Sequence, residues 1–413
     1  MNRTIAALAL VAAVLLQGCT DGGVPSGTSI QVGVRPLYLV RGMDEGPLRT
    51  RLLQCQDGPL RRTGFSIGHR GAAMQFPEHS DVSYRAGALM GAGVVECDVT
   101  FTRDGALVCR HSECDLDSTT DIVATALNQK CTVPWTGPVG PDHPAPLCCT
   151  SDLTLAEFRT LQAKMESSDP AATTPEGYLG GTPDWRTDLY TGRARVMTFR
   201  ESIALNQEMG VGHTPELKGA TFQDRVDAIF GGQEAYAQAM VDELVLAGVY
   251  PGDVFVQSFN VDDILYWIRR APAFGRQAVY LDSIDPTVAP PIERMSTARL
   301  LELRSAGVHI LAPPFFALLD VTADGRMVPS TYARDIRSAG LEIIAWTLER
   351  SDLRRGASQA GWYYLFDPEG RAVKKDSDVY VVLDVLAQEV GIVAIFSDWP
   401  ATVTYYASCM GLR

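Results

Sequence analysis

The sequence predicts an α/β fold, a (β/α)8 barrel. Three observations lead there. From residue 65 onward, apolar strand-like runs alternate with amphipathic helix-like runs, about eight units in one chain. Such alternation implies a parallel sheet, and eight units favour closing it. The third observation is that titratable residues gather at the C-terminal ends of the strand-like runs, where barrels of this kind build their sites.

The strand-like runs are Phe65–Gly68, Val94–Thr100, Ala106–Arg110, Gly212–Leu217, Val254–Ser258, Ala278–Asp282, Val308–Ala312, Ile343–Thr347 and Val393–Ser397. Nine runs compete for eight places, so one is not a strand or lies outside the barrel. Ala106–Arg110 is irregular, because it follows Val94–Thr100 with no helix between. Helix-like stretches include Ala235–Leu246, Val261–Arg269, Ser296–Ala306 and Ser330–Ala339.

A chain of 413 residues with 46% apolar content suffices for one large domain or two ordinary ones. The net charge of −13 argues against a nucleic-acid binder, which needs clustered cations to neutralise phosphates. It also leaves no basic patch for an anionic lipid surface. Any phosphate handled here has to be held locally, by a metal and a few cations.

The N-terminus directs the chain. Met1–Arg3 is positive, and Ile5–Leu16 is apolar but short for a bilayer span. The segment ends Leu16-Gln17-Gly18-Cys19, which resembles a bacterial lipoprotein signal with Cys19 as the lipidated residue. Residues 1–19 are therefore expected to be a signal peptide, and the mature chain to be exported and lipid-anchored to the cell envelope. That anchor is its one expected membrane contact, and no protein partner is inferred. Residues 20–63 read as a Gly/Ser-rich tether followed by an extension that lays a strand or loop against the main domain, stapled by Cys55. Residues 64–413 form the barrel.

Export accounts for the cysteines. After Cys19 come Cys55, Cys97, Cys109, Cys114, Cys131, Cys148, Cys149 and Cys409, an even set that suggests disulfides. No C-x-x-C pair favours zinc. Cys109 has the strand parity of His111, whereas Cys97 is opposite to Glu96, so a Cys97–Cys109 bridge is not expected. Residues 112–196 interrupt the strand–helix alternation and hold four of these cysteines. A structureless loop of that length is implausible. It reads as a disulfide-braced insertion after the third strand, over the barrel mouth, with Leu153–Lys164 as one helix capped by Ser151 or Thr154.

The chemistry concentrates between Ser66 and His111. A short apolar run delivers His69 and Arg70 onto a Gly-containing turn, and Ser80 is placed to cap a following helix. Glu96 and Asp98, two apart on a strand, share one face. Asp104-Gly105 marks a turn before a second extended run that ends in His111. With Glu216 these carboxylates make three hard oxygen ligands, suited to Ca²⁺ first and Mg²⁺ as the alternative. Lys218 shares the face of Glu216.

The ordered motifs His69-Arg70-Gly71, Pro77-Glu78-His79, Glu96-x-Asp98, Pro215-Glu216-Leu217-Lys218, Gln257-Ser258-Phe259, Ala345-Trp346-Thr347 and Phe396-Ser397-Asp398-Trp399-Pro400 resemble the glycerophosphodiester phosphodiesterase family. The resemblance implies the same barrel and a metal-dependent hydrolysis to an alcohol and sn-glycerol 3-phosphate, through a cyclic phosphate. It implies His69 and His111 as the acid–base pair, Arg70 and Lys218 on the phosphate, and Phe259 and Trp346 lining the glycerol pocket. Glu78 would orient Arg70, and Asp398 would cap or brace the barrel end. His79 stands where the family usually has Asn. His143, His213 and His309 read as structural. The expected partner is a small glycerophosphodiester. The alternatives are a lysophospholipase D or sphingomyelinase D-like activity on lipids, or a surface lipoprotein that binds phosphodiesters without cleaving them.

Overall fold

The computed structural model describes residues 30–413, so the expected lipidation of Cys19 lies outside the described residues. Among the described residues eleven strands are formed: β1 (Thr63–Gly68), β2 (Ala92–Phe101), β3 (Leu107–Cys109), β4 (Gly212–Leu217), β5 (Gln257–Ser258), β6 (Val279–Leu281), β7 (Ile310–Ala312), β8 (Leu319–Val321), β9 (Met327–Pro329), β10 (Glu342–Leu348) and β11 (Ala394–Ser397). Eight of them pair in parallel in the order β1-β11-β10-β7-β6-β5-β4-β2, and β2 returns to β1, so the sheet is a closed barrel. The irregular ninth run is β3, which hangs antiparallel on the rim of β2 with Val99 opposite Cys109. The pair β8–β9 is a separate small hairpin that the apolar pattern did not single out.

The barrel strands read as continuous apolar runs because both faces are buried. Inside the barrel, Ile67, Val94, Val279, Leu281, Ile310, Ile344 and Phe396 pack together. Outside, a larger core joins the strands to the helices. The helices begin where the caps put them. Ser80, Ser296 and Ser330 accept amide hydrogens three residues on, and Thr198 forms a reciprocal capping box with Glu201.

The insertion carries its own core, with Leu116, Ile122, Trp135, Phe158 and Tyr178 buried. Cys114–Cys149 and Cys131–Cys148 brace it. The helix expected over Leu153–Lys164 is a single turn, Leu155–Phe158, capped by Thr154 with Glu157. Beyond it the backbone is extended: Gln162 pairs with Arg195 and Ala163 with Thr120. Those cross-chain hydrogen bonds replace the helical ones.

Two further expectations need correction. Most of residues 31–53 are helical, where a strand or loop was expected, and only 54–62 run as a loop against the domain before β1 begins at Thr63. The helices are Arg35–Gly42 and Pro47–Leu53, each with a proline in its first turn, where the missing N–H costs nothing. Cys55 does staple this extension, to Cys409 in the last helix. The Cys97–Cys109 bridge, not expected from parity, is present with a Cα–Cα separation of 5.4 Å. Pairing of Val99 with Cys109 puts Cys97 diagonally across on the same face. The parity argument failed because β3 ends at Cys109, so His111 lies past the strand and its direction is not set by alternation. No helix among the described residues is long and apolar enough to cross a membrane.

Candidate active site

Seven of the eight barrel strands, from within or just past their ends, line one cavity of about 310 Å³ at the C-terminal mouth. His69, Arg70, Glu96, Asp98, His111, Glu216, Lys218, Phe259 and Trp346, all singled out from sequence, line it together. Glu78 lies beneath, accepting from Arg70 Nη1 at 2.8 Å.

The turn after β1 is built for close approach. Arg70 adopts a left-handed φ of +52°, uncommon for a non-glycine residue, and its amide donates to Glu96 Oε2 at 3.0 Å. At Gly71, φ is +100° and a Cβ would lie 2.6 Å from the Ser83 carbonyl carbon, so only glycine lets the turn pack on the next helix. His69 is thereby presented with Nδ1 2.5 Å from Asp398 Oδ1 and Nε2 3.7 Å from Glu96 Oε2. His111 is half-buried on the cavity wall. Arg110, just before it, is anchored by donating to the carbonyls of Glu78 and His79 at 3.0 Å each.

Strand register brings the carboxylates together. Asp98 pairs directly with Glu216, and Glu96 sits two residues away on the same face. One oxygen from each lies within 4.8 Å of the others, and all three residues are buried. Gln257 Nε2 donates to Glu96 Oε1 at 2.9 Å, and Lys218 Nζ to Glu216 Oε1 at 2.6 Å. His79 approaches Asp98 Oδ2 through Nε2 at 2.8 Å. Asp98 Oδ1 is buried with no hydrogen-bond partner.

The electrostatics show the strain of this crowding. Burial, then the charges of Asp98 and Glu216, push Glu96 well above the carboxylate range. Glu216 is pushed up to about 8 by burial and by Asp98, with Lys218 opposing. Burial would raise Asp98 too, but Lys218, His79 and Arg70 hold it well down. His69 is lowered to about 4, first by burial and then by Arg70 and Arg350, with Asp398 opposing. His111 is lowered by burial, Arg70 and Lys218.

A divalent cation fits this cluster. Glu78, Glu96, Asp98, Glu166, Glu216 and Asp398 are opposed by Arg70, Arg186, Lys218 and Arg350, six carboxylates against four cationic side chains. The six can all be ionised together only with further positive charge, and one buried oxygen of Asp98 has no hydrogen-bond partner. Hard oxygen donors of this kind suit Ca²⁺ or Mg²⁺.

Several participants were not evident from sequence. Asp398 does more than brace the barrel end, since it holds His69. Arg350 and Tyr363 line the cavity, and from the insertion Glu166 pairs with Arg70 and Arg186 with Asp398. Arg350 stands just past the end of β10, so the strand-end rule could have flagged it. Glu166 and Arg186 carry no comparable signal.

Residues 69–402 match the glycerophosphoryl diester phosphodiesterase family. The chain is 41% identical to an "Extracellular protein" of Arthroderma benhamiae over 252 residues, 60% of this chain and 100% of that one. It is also 41% identical to a Bacillus subtilis glycerophosphodiester phosphodiesterase over 294 residues, 70% of this chain and 79% of that one. Among solved structures, one from Silicibacter pomeroyi bearing the glycerophosphoryl diester phosphodiesterase name superimposes with a TM-score of 0.55 at 20% identity, covering 86% and 96% of the two chains.

Proposed function

We propose, for a chain that belongs to the glycerophosphoryl diester phosphodiesterase family, a division of labour among its own residues. The chain is a phosphodiesterase of glycerophosphodiesters, and domain 64–413 carries the reaction. The supporting observation is that two histidines and two phosphate-directed cations surround three buried carboxylates in one cavity.

Glu96, Asp98 and Glu216 would hold a divalent cation, Ca²⁺ by our reading. When bound, it would neutralise phosphoryl oxygens and the charge that grows on them. Arg70, held by Glu78, and Lys218, held by Glu216, grip the non-bridging oxygens from fixed positions, which is where preorganised charge is most effective. Phe259 and Trp346, ring centroids 5.9 Å apart, form the apolar wall against which glycerol carbons rest.

His69 and His111 move the protons. One takes the proton of the glycerol 2-hydroxyl as its oxygen attacks phosphorus, and the other gives a proton to the departing alkoxide. The cyclic phosphate so formed is opened by water with the roles reversed, yielding glycerol 3-phosphate. Asp398 keeps a proton on His69 Nδ1, so Nε2 is the nitrogen that exchanges protons at the cavity. The four disulfides fit an exported chain; anchoring through Cys19 completes the reading.

The test is release of glycerol 3-phosphate from glycerophosphocholine by the purified protein, before and after chelation and with Ca²⁺ or Mg²⁺ restored. Turnover that is lost on chelation and returns with the metal supports the reading. No glycerol 3-phosphate under any metal condition sinks it.

A further inference from the structure

Arg350 is absent from the motifs that mark the family, yet it lines the cavity beside His69 and Arg70. Its side chain is 14% exposed, and two carboxylates from distant parts of the chain clasp it. Nη1 donates to Asp398 Oδ2 at 3.1 Å, and Nη2 bonds Glu166. The other oxygen of Asp398 is the one that holds His69. One carboxylate thus fixes the guanidinium and the imidazole relative to each other.

Glu166 belongs to the insertion. Beyond Arg350 it faces Arg70 Nη1 at 3.8 Å and Arg186 Nη1 at 3.9 Å. Its side chain is 31% exposed, so as a stability element the pair is worth little. Its consequence is geometric: with both ends engaged, Arg350 has one orientation at the cavity wall. A guanidinium offers paired donors that match phosphoryl oxygens, and one already in place loses little freedom on binding.

We propose that Arg350 is a further substrate-binding residue, a second guanidinium on the phosphoryl group beside Arg70, and that Glu166 of the insertion positions it. This rests on the phosphodiesterase reading of the same cavity. It gives the insertion a part in the reaction, as the source of the positioning carboxylate.

The experiment uses the full chain with saturating Ca²⁺ and the variants Arg350→Gln, Arg350→Lys, Glu166→Gln and the double variant Arg350→Gln/Glu166→Gln. Calorimetry reads the Kd for glycerol 3-phosphate and for inorganic phosphate, and glycerophosphocholine turnover is followed in parallel. Loss of a charge-assisted contact should weaken glycerol 3-phosphate about 10- to 100-fold in Arg350→Gln. Arg350→Lys keeps the charge and loses the fork, and should fall about 10-fold. Glu166→Gln should raise KM about 5-fold with little change in kcat. On the Arg350→Gln background it should add much less than it does alone, because its hydrogen bond is to Arg350 and its contacts with Arg70 and Arg186 are longer. A Kd within twofold of wild type in Arg350→Gln overturns the proposal, as do Glu166 and Arg350 effects that simply multiply. If Arg350→Gln does not fold, Arg350→Lys decides, and an unchanged Kd there refutes it. Absence of wild-type turnover would instead overturn the phosphodiesterase reading, while the phosphate Kd values still judge Arg350.

Discussion

Replacing Asp398 with Asn isolates the part played by the charge behind His69. The two groups meet at 2.5 Å, with Asp398 fully buried. Opposite charges about 4 Å apart attract by roughly 4 kcal/mol at an effective dielectric near 20. That corresponds to about three pKa units. His69 already stands at about 4 because burial outweighs Asp398. In the Asn variant it drops further, and nothing fixes the proton on Nδ1. We expect kcat to fall about 10²- to 10⁴-fold, the range for a lost proton-transfer group. Whether His69 acts as base or as acid, its limb of the kcat–pH profile moves to lower pH, since either limb follows the same falling pKa. The assay is glycerophosphocholine turnover from pH 4 to 9 at saturating Ca²⁺, with Ca²⁺ affinity measured separately. Asp398 is not one of the three clustered carboxylates, so that affinity should stay within about threefold. Arg350→Gln serves as comparator, because removing that cation should move the His69 limb the other way, to higher pH. An Asn variant with wild-type kcat and an unshifted profile would refute the reasoning, and a loss explained wholly by metal release would do the same.

Glu96→Gln, Asp98→Asn and Glu216→Gln should each weaken Ca²⁺ binding in calorimetry and abolish turnover at limiting metal; near-normal affinity in all three would dismiss the cluster as a metal site. His69→Ala and His111→Ala should each cost about 10²- to 10⁴-fold, and a nitrophenyl phosphodiester retaining glycerol should rescue only the variant lacking the acid. Equal rescue of both, or of neither, contradicts the division of labour. His213, at the opposite end of β4, is lowered to about 4 by burial alone. The unfolded chain therefore takes up that proton first, and stability declines as pH falls through 6.5, by about 2 kcal/mol at pH 5 from this site. Denaturant midpoints at pH 7 and pH 5 should differ less in His213→Gln than in wild type; an identical pH dependence would count against it.

Much of this architecture was readable from residue order because it rests on local periodicity. Seven of the barrel strands contain or overlap their apolar runs closely, and two-residue alternation paired Glu96 with Asp98, while Glu216 came from its place at a strand end. β5 is a short remnant of its run, since Val254 makes only an isolated bridge to His213. What alternation could not carry was anything beyond the last paired residue. His111 sits past β3, so its parity misled the reading of Cys97 and Cys109. The insertion was harder still. Its apolar spacing at Leu155, Phe158 and Leu161 suits a helix, yet tertiary bridges claimed the backbone after one turn. Glu166 and Arg350 are 184 residues apart and meet only in the folded chain. The double use of Asp398 was hidden for the same reason.

The barrel closes where its first and last strands meet, with Ser66, Ile67 and Gly68 in register with Ile395, Phe396 and Ser397. This imposes an order on assembly. The three clustered carboxylates lie on β2 and β4, paired strands encoded in the first 217 residues, and can be juxtaposed while synthesis is still under way. The partner of His69 is encoded 329 residues after it. A nascent or C-terminally clipped chain would thus hold its three acids side by side with the histidine still unoriented. On the proposed roles, competence for proton transfer arrives only with the final strand, so the seam separates the whole enzyme from any fragment that ends before the partner of His69.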